Sequence, residues 1–184
     1  MLVQKESAAT TTLTYRKATP ADARDVQSLV KSAYRGESSR AGWTTEADLV
    51  ADDRIDEAGV AAKINGKGLV LVAHDNSGAL AACCEIEQKA NGVGYFGLLA
   101  VDPQRQAGGL GKKILAQAEK TARDELGIRW LEMTVIWPRK ELIEWYVRRG
   151  YTKTERTAPF PYSHLVNGKA LRNDLYFVIL EKEL

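Results

Sequence analysis

Apolar positions along this chain change period several times, from every second residue to every third or fourth, and those changes mark its elements. Residues 13–18 read as a first strand. Thr19-Pro20-Ala21-Asp22 then starts a helix with proline in its first turn, and Val26, Leu29, Val30 and Ala33 give that helix an apolar face. Thr44 and Thr45 precede Glu46 and Asp48, an N-cap with acids in the first turn, and predict a second helix running toward Ile64. Residues 68–74 and 79–87 are predicted strands joined by the turn Asp75-Asn76-Ser77-Gly78. Asn91-Gly92 turns the chain into a third strand at 94–101.

The second half keeps alternating. Leu110, Ile114, Ala118, Ala122 and Leu126 recur at four-residue steps, a helical stripe that Gly127 closes. Residues 128–136 form a buried, β-rich run. Pro138 opens a helix carrying Leu142, Ile143, Trp145, Tyr146 and Val147, closed by Arg148, Arg149 and Gly150. Residues 151–157 and 171–181 are the last strands, with a proline-rich loop between them. The order β-α-α-β-β-β-α-β-α-β-β is that of a mixed α/β domain. Nothing divides 13–184, so a single domain is expected there, behind a Ser/Thr/Ala-rich extension at 1–12 expected to be disordered.

Composition narrows the class without choosing a chemistry. Of the 184 residues, 45% are apolar and 27% charged, ordinary for a globular protein. Lys and Arg number 26 against 24 Asp and Glu, so no global charge points to nucleic acid or a membrane surface. No apolar run approaches a membrane span, and no signal-peptide core is present. Cys83 and Cys84 are adjacent on a strand and so point to opposite faces, which excludes their pairing or sharing a metal. A reducing, cytoplasmic location is expected.

The chemistry begins after the third strand, at Asp102-Pro103-Gln104-Arg105-Gln106-Ala107-Gly108-Gly109-Leu110-Gly111-Lys112-Lys113. A strand that ends in Asp-Pro, crosses a glycine-rich turn and enters a helix leaves backbone N–H groups free at the positive end of a helix dipole, which suits a phosphate-bearing ligand. The glycines permit close backbone approach, and the two lysines add charge. A P-loop would need Ser or Thr after Gly111-Lys112, where Lys113 stands. A dinucleotide fingerprint would need its glycines spaced differently and placed at the first βα turn.

Gln106-Ala107-Gly108-Gly109-Leu110-Gly111 follows Q/R-x-x-G-x-G/A, and with the preceding Leu99-Ala100-Val101-Asp102-Pro103 it resembles the coenzyme A pyrophosphate loop of the GNAT N-acetyltransferase superfamily. Trp145-Tyr146…Gly150-Tyr151 matches the aromatic-Tyr-x-x-x-Gly-aromatic stretch of the same family, and the element order agrees with it. The resemblance covers roughly 13–184 and is strongest at 94–151. It implies the acyl-CoA N-acyltransferase fold with splayed central strands, and acetyl-CoA as co-substrate without a metal. Residues 106–112 (Gln106, Ala107, Gly108, Gly109, Leu110, Gly111 and Lys112) would hold the pyrophosphate. Leu99, Ala100 and Val101 would offer unpaired main chain to the pantetheine arm. Tyr146 would protonate the departing thiolate, a phenol of pKa ~10 against a thiol of ~8.5. Arg139 stands where many relatives have Asn, and as a longer cation it is suited to a phosphate or an acidic substrate.

The acceptor is less legible. Trp43, Phe160 and Tyr162 are expected to wall its pocket, Arg40 to grip a carboxylate, and Glu46 to seat an ammonium group. Glu85, Glu87 and Glu46 are the candidate bases, with none assigned. The expected activity is acetyl transfer to the amine of a small or amino-acid-like molecule by a monomer or homodimer. The alternatives are a protein or peptide N-acetyltransferase, or a catalytically silent acyl-CoA-binding module.

Overall fold

The computed structural model describes residues 12–184, so the extension expected over 1–12 lies outside the described residues but for its last position. The strands are β1 (Thr14–Lys17), β2 (Val50–Ala51), β3 (Leu69–His74), β4 (Leu80–Gln88), β5 (Val93–Val101), β6 (Trp130–Ile136), β7 (Thr152–Pro159), β8 (Lys169–Ala170) and β9 (Tyr176–Glu183). The helices are α1 (Ala23–Tyr34), α2 (Gly36–Ser39), α3 (Glu57–Ile64), α4 (Leu110–Leu126) and α5 (Lys140–Val147). Seven strands form one mixed sheet in the order β1-β3-β4-β5-β6-β9-β7, while β2 and β8 pair separately.

Each sheet face buries its own apolar layer. Ile114, Leu115, Ala118 and Ala122 of α4 pack with Cys84, Ile86, Phe96, Leu131 and Met133 on one face. Val26 and Val30 of α1 and Val60 of α3 pack with Val70, Val72, Cys83, Leu98 and Ala100 on the other. Each buried Val, Leu, Ile, Phe or Met side chain there is worth about 1.5–3 kcal/mol of burial, an upper figure when the unfolded chain is itself partly collapsed. The two cysteines take opposite faces and are free.

Two irregularities in β5 shape everything that follows. Phe96 faces the α4 layer, yet Leu98, two residues on, faces the α1 layer, so the strand's two-residue alternation breaks there. The register agrees: Cys83 pairs with Ala100 and Glu85 with Gly97, two steps on β4 against three on β5. This is a β-bulge, and Leu98 takes φ +53°, a left-handed conformation that costs a branched residue about 1–3 kcal/mol. The second irregularity is a fork. β5 pairs in parallel with β6 only from Val93–Trp130 to Tyr95–Glu132, after which the strands part. β6 continues with β9 to Ile136. The central strands are splayed.

The structure departs from the sequence reading in two places. The helix expected from Glu46 toward Ile64 exists only as α3, and its N-cap is Asp56, whose Oδ1 accepts the Gly59 amide at 2.7 Å. Residues 44–56 instead fold inward as a loop carrying β2, because buried arginines claim two of its acids. The strand expected at 171–181 starts only at Tyr176, and the chain before it supplies β8 for β2.

Candidate active site

Beyond Val101, Asp102 turns the chain by accepting the Gln104 amide on Oδ1 at 3.0 Å. A 3₁₀ turn, Pro103–Gly108, containing Ala107, then leads to Gly109, whose φ of +72° makes it the N-cap of α4. The first amides of a helix have no partner within it and are commonly capped by an Asp or Ser side chain. Here no side chain caps α4 and its first turn holds no acid, while Lys112 and Lys113 stand beside it. That is the reverse of what the dipole alone favours, and it is how a helix start receives an anion. A Cβ on Gly108 would meet only Leu110, at 4.0 Å, so nothing in the protein itself requires glycine there.

A groove enclosing about 660 Å³ runs from this turn toward the fork, lined by Leu99, Val101, Gln106, Gly109, Gly111 and Lys112 on one side. Trp43, Arg139, Trp145, Tyr146 and Arg149 are among its other walls. Gln106 acts as a strut. Its Oε1 accepts the Trp43 amide at 3.1 Å and its Nε2 donates to the Val101 carbonyl at 3.3 Å. The Leu99 carbonyl accepts the Tyr34 hydroxyl at 2.8 Å. The carbonyls expected to be unpaired at Leu99 and Val101 therefore each have one partner, which leaves each a second lone pair. Ala100 and Leu110 point into the core.

On the other side of the fork lies a cavity of about 1000 Å³, walled by β5 from Tyr95 to Leu99, β6 from Met133 to Ile136, and the loop around Phe160 and His164. Tyr34, Leu99, Arg139, Leu142 and Tyr146 line both spaces. The two meet at the bulge.

A buried charge cluster holds this junction. Glu46 accepts from Arg35 on Oε2 and from Arg139 on Oε1, each at 2.5 Å. Arg35 Nε reaches Asp52 at 2.6 Å, and Arg139 also donates to Thr44 Oγ1 at 3.0 Å. Burial alone would raise the Glu46 pKa, but Arg139 and Arg35 outweigh it and hold the carboxyl below its ordinary value. Glu46 is thus not open to seat an ammonium group as expected from the sequence. Arg139 is engaged with Glu46 and Thr44, although its Nε is buried without a partner.

Tyr146 is 5% exposed, packed edge-on against Trp145 and Tyr151 with ring centroids 5.0 and 5.7 Å away. Burial drives its phenol far above the ordinary value, with Tyr34 adding to the shift. It remains protonated at any working pH.

The remaining sequence candidates separate. Phe160 lines the second cavity, but Tyr162 lies outside it, packs on the Phe160 ring at 4.9 Å and accepts the Leu175 amide on its hydroxyl at 2.8 Å. Trp43 borders the first groove instead of the acceptor side, its ring 6.2 Å from that of Trp145. Arg40 is on the surface with Asp48 and Glu37. Glu85 is held by Lys63 at 2.7 and 2.8 Å, and Glu87 is exposed. The sequence singles out neither Tyr34 nor Arg54 and reads His164, like His74, as structural, because the placement of these side chains depends on contacts across the fold that no local spacing signals.

A mixed sheet forked between its one parallel strand pair, with a glycine-led helix start opening beside the fork, is the acyl-CoA N-acyltransferase fold. Residues 66–153 match the family model described as "Acetyltransferase (GNAT) domain". The fold is shared with an IAA acetyltransferase from Bacillus cereus ATCC 14579 (18% identity, 94% of this chain and 100% of the other, TM-score 0.67). It is shared too with a GNAT-family acetyltransferase from Staphylococcus aureus Mu50 (15%, 94% and 99%, 0.67). A third is spermidine N-acetyltransferase from Vibrio cholerae in complex with CoA and spermine (13%, 93% and 95%, 0.66). Comparison with curated protein sequences gives no match.

Proposed function

We propose that the protein transfers an acetyl group from acetyl-CoA directly to the amine of a small molecule. The observation that carries this reading is the meeting of two spaces at the forked strands: one leads from an uncapped, lysine-flanked helix start, and the other is a separate cavity. The open Cβ position of Gly108 and the free amides of α4 fit a diphosphate. The groove between Val101 and Trp145 fits the arm that follows it. Acetyl-CoA would supply the activated acyl carbon at the bulge.

The chain's own residues then do the following. The bulge keeps β5 main chain facing the fork, so a backbone N–H near Leu99 can hold the oxyanion that forms as nitrogen adds to the acyl carbon, worth a few kcal/mol. As the C–S bond breaks, the Tyr146 hydroxyl donates a hydrogen bond to the departing sulfur. Its raised pKa makes full surrender of the proton costly, so it stabilises the thiolate more than it neutralises it. The attacking amine must give up a proton. His164 is the one group lining the acceptor cavity, among the described residues, with a side chain suited to accept it and no ion pair. Both cysteines are buried, with Cys83 pushed up to about 12 by burial, which argues against a covalent acyl-enzyme.

Thiol release from acetyl-CoA, measured against free amines, amino acids and peptides, tests the proposal. Amine-dependent release with an acetylated small product is expected. Tight coenzyme A binding without turnover on any amine would favour a silent binding module.

A further inference from the structure

The acceptor cavity carries one more positive charge than it neutralises. Arg35, Arg54 and Arg139 line it against only two carboxylates, Glu46 and Asp52. Arg35 and Arg139 consume both. Arg54 is left with no hydrogen-bond acceptor or ion-pair partner for its guanidinium among the described residues, which lies 5.3 Å from the Tyr34 ring centroid. Its backbone is also held in an unusual state, at φ +64°, with its amide donated to Asp52 Oδ1 at 3.0 Å. Asp52 grips the Arg54 main chain, and the side chain lies in the cavity wall over the Tyr34 ring with its N–H donors lacking an acceptor among the described residues.

We infer that Arg54 is the anchor for an anionic group on the acceptor, so that the substrate class is amines bearing a carboxylate or a similar oxyanion, and not polyamines. The inference rests on the acetyl-transfer reading and deepens it. A guanidinium offers two parallel N–H donors that match a carboxylate. Tyr34 spans the distance inward, its ring beside Arg54 and its hydroxyl on the Leu99 carbonyl at the bulge. An acceptor held at Arg54 by its anion thus has its amine directed along Tyr34 toward the junction. A cationic chain would meet the uncompensated charge and be repelled.

The test uses the full chain and pairs of acceptors differing only in charge: each common amino acid against its amide, with spermidine added. Carboxylated acceptors are expected to exceed their amides in kcat/KM by roughly 10–100-fold, the range for a hydrogen-bonded charge pair. R54Q should abolish that preference through KM, and R54K should restore part of it. Melting temperature and coenzyme A affinity, unchanged in both variants, would show that fold and donor site are intact. Preference for the amides or spermidine, turnover of no carboxylated amine, or an R54Q enzyme that still discriminates would each overturn the inference. Failure of coenzyme A to bind would instead remove the acetyl-transfer reading beneath it.

Discussion

Glu46 shows how one side chain can join a loop to the junction of two cavities. It ties Arg35 at the end of α1 to Arg139 at the start of α5, and in doing so folds residues 44–56 inward. Replacing it by Gln leaves two guanidiniums poorly paired in the interior, so Glu46→Gln is expected to destabilise the protein by about 3–5 kcal/mol, read from denaturant unfolding. The pH dependence has a definite sign. The folded-state pKa of Glu46 lies below its unfolded value, so its contribution is complete above roughly pH 4.5 and is lost as pH falls toward the folded pKa. Glu46→Gln should flatten that acid limb; an unchanged limb would assign it to other carboxylates. Tyr146 makes the second prediction for a single residue. Tyr146→Phe should lower kcat by ~10²-fold with coenzyme A affinity nearly unchanged. Because the phenol is raised by burial, kcat should show no loss from its ionisation up to about pH 10, where an ordinary tyrosine would be half ionised. Full activity in the variant would remove Tyr146 from the reaction.

Among the elements, the start of α4 is the proposed donor site. Gly109→Asp or Gly111→Asp should abolish coenzyme A binding in calorimetry, since each puts a negative charge beside amides that are to face phosphate. Unchanged affinity in both would refute the loop assignment. Trp43→Ala, by its place beside Trp145 on the first groove, should raise the KM for acetyl-CoA more than that for the acceptor. The opposite result would place Trp43 at the amine. This element was legible from sequence because strand, Asp-Pro turn, glycines and apolar stripe are all local signals; α4 runs from Leu110 to Leu126 with Gly127 as its C-cap, as its periodicity predicts. The loop at 44–56 was not. Its Thr and acid pattern reads as a helix start, and what overrides it is the pull of Arg35 and Arg139, one of them 93 residues away in sequence. The bulge at Leu98 was equally hidden, as a branched residue at positive φ has no sequence signature.

Taken as a whole, the molecule is a sheet opened at one seam, with a groove and a second cavity meeting there and sharing Tyr34, Leu99, Arg139, Leu142 and Tyr146. No described helix is long and apolar enough to cross a membrane. In the proposed reaction main-chain amides would bind the donor, which is why the glycines are visible in sequence, while side chains from distant elements shape the second cavity. A crystal structure with coenzyme A bound tests this arrangement most directly. Diphosphate oxygens on the amides of residues 108–112, with the sulfur in the fork beside Tyr146, is the expected result. Coenzyme A bound elsewhere at saturating concentration, or β5 and β6 paired along their full length in the complex, would contradict it.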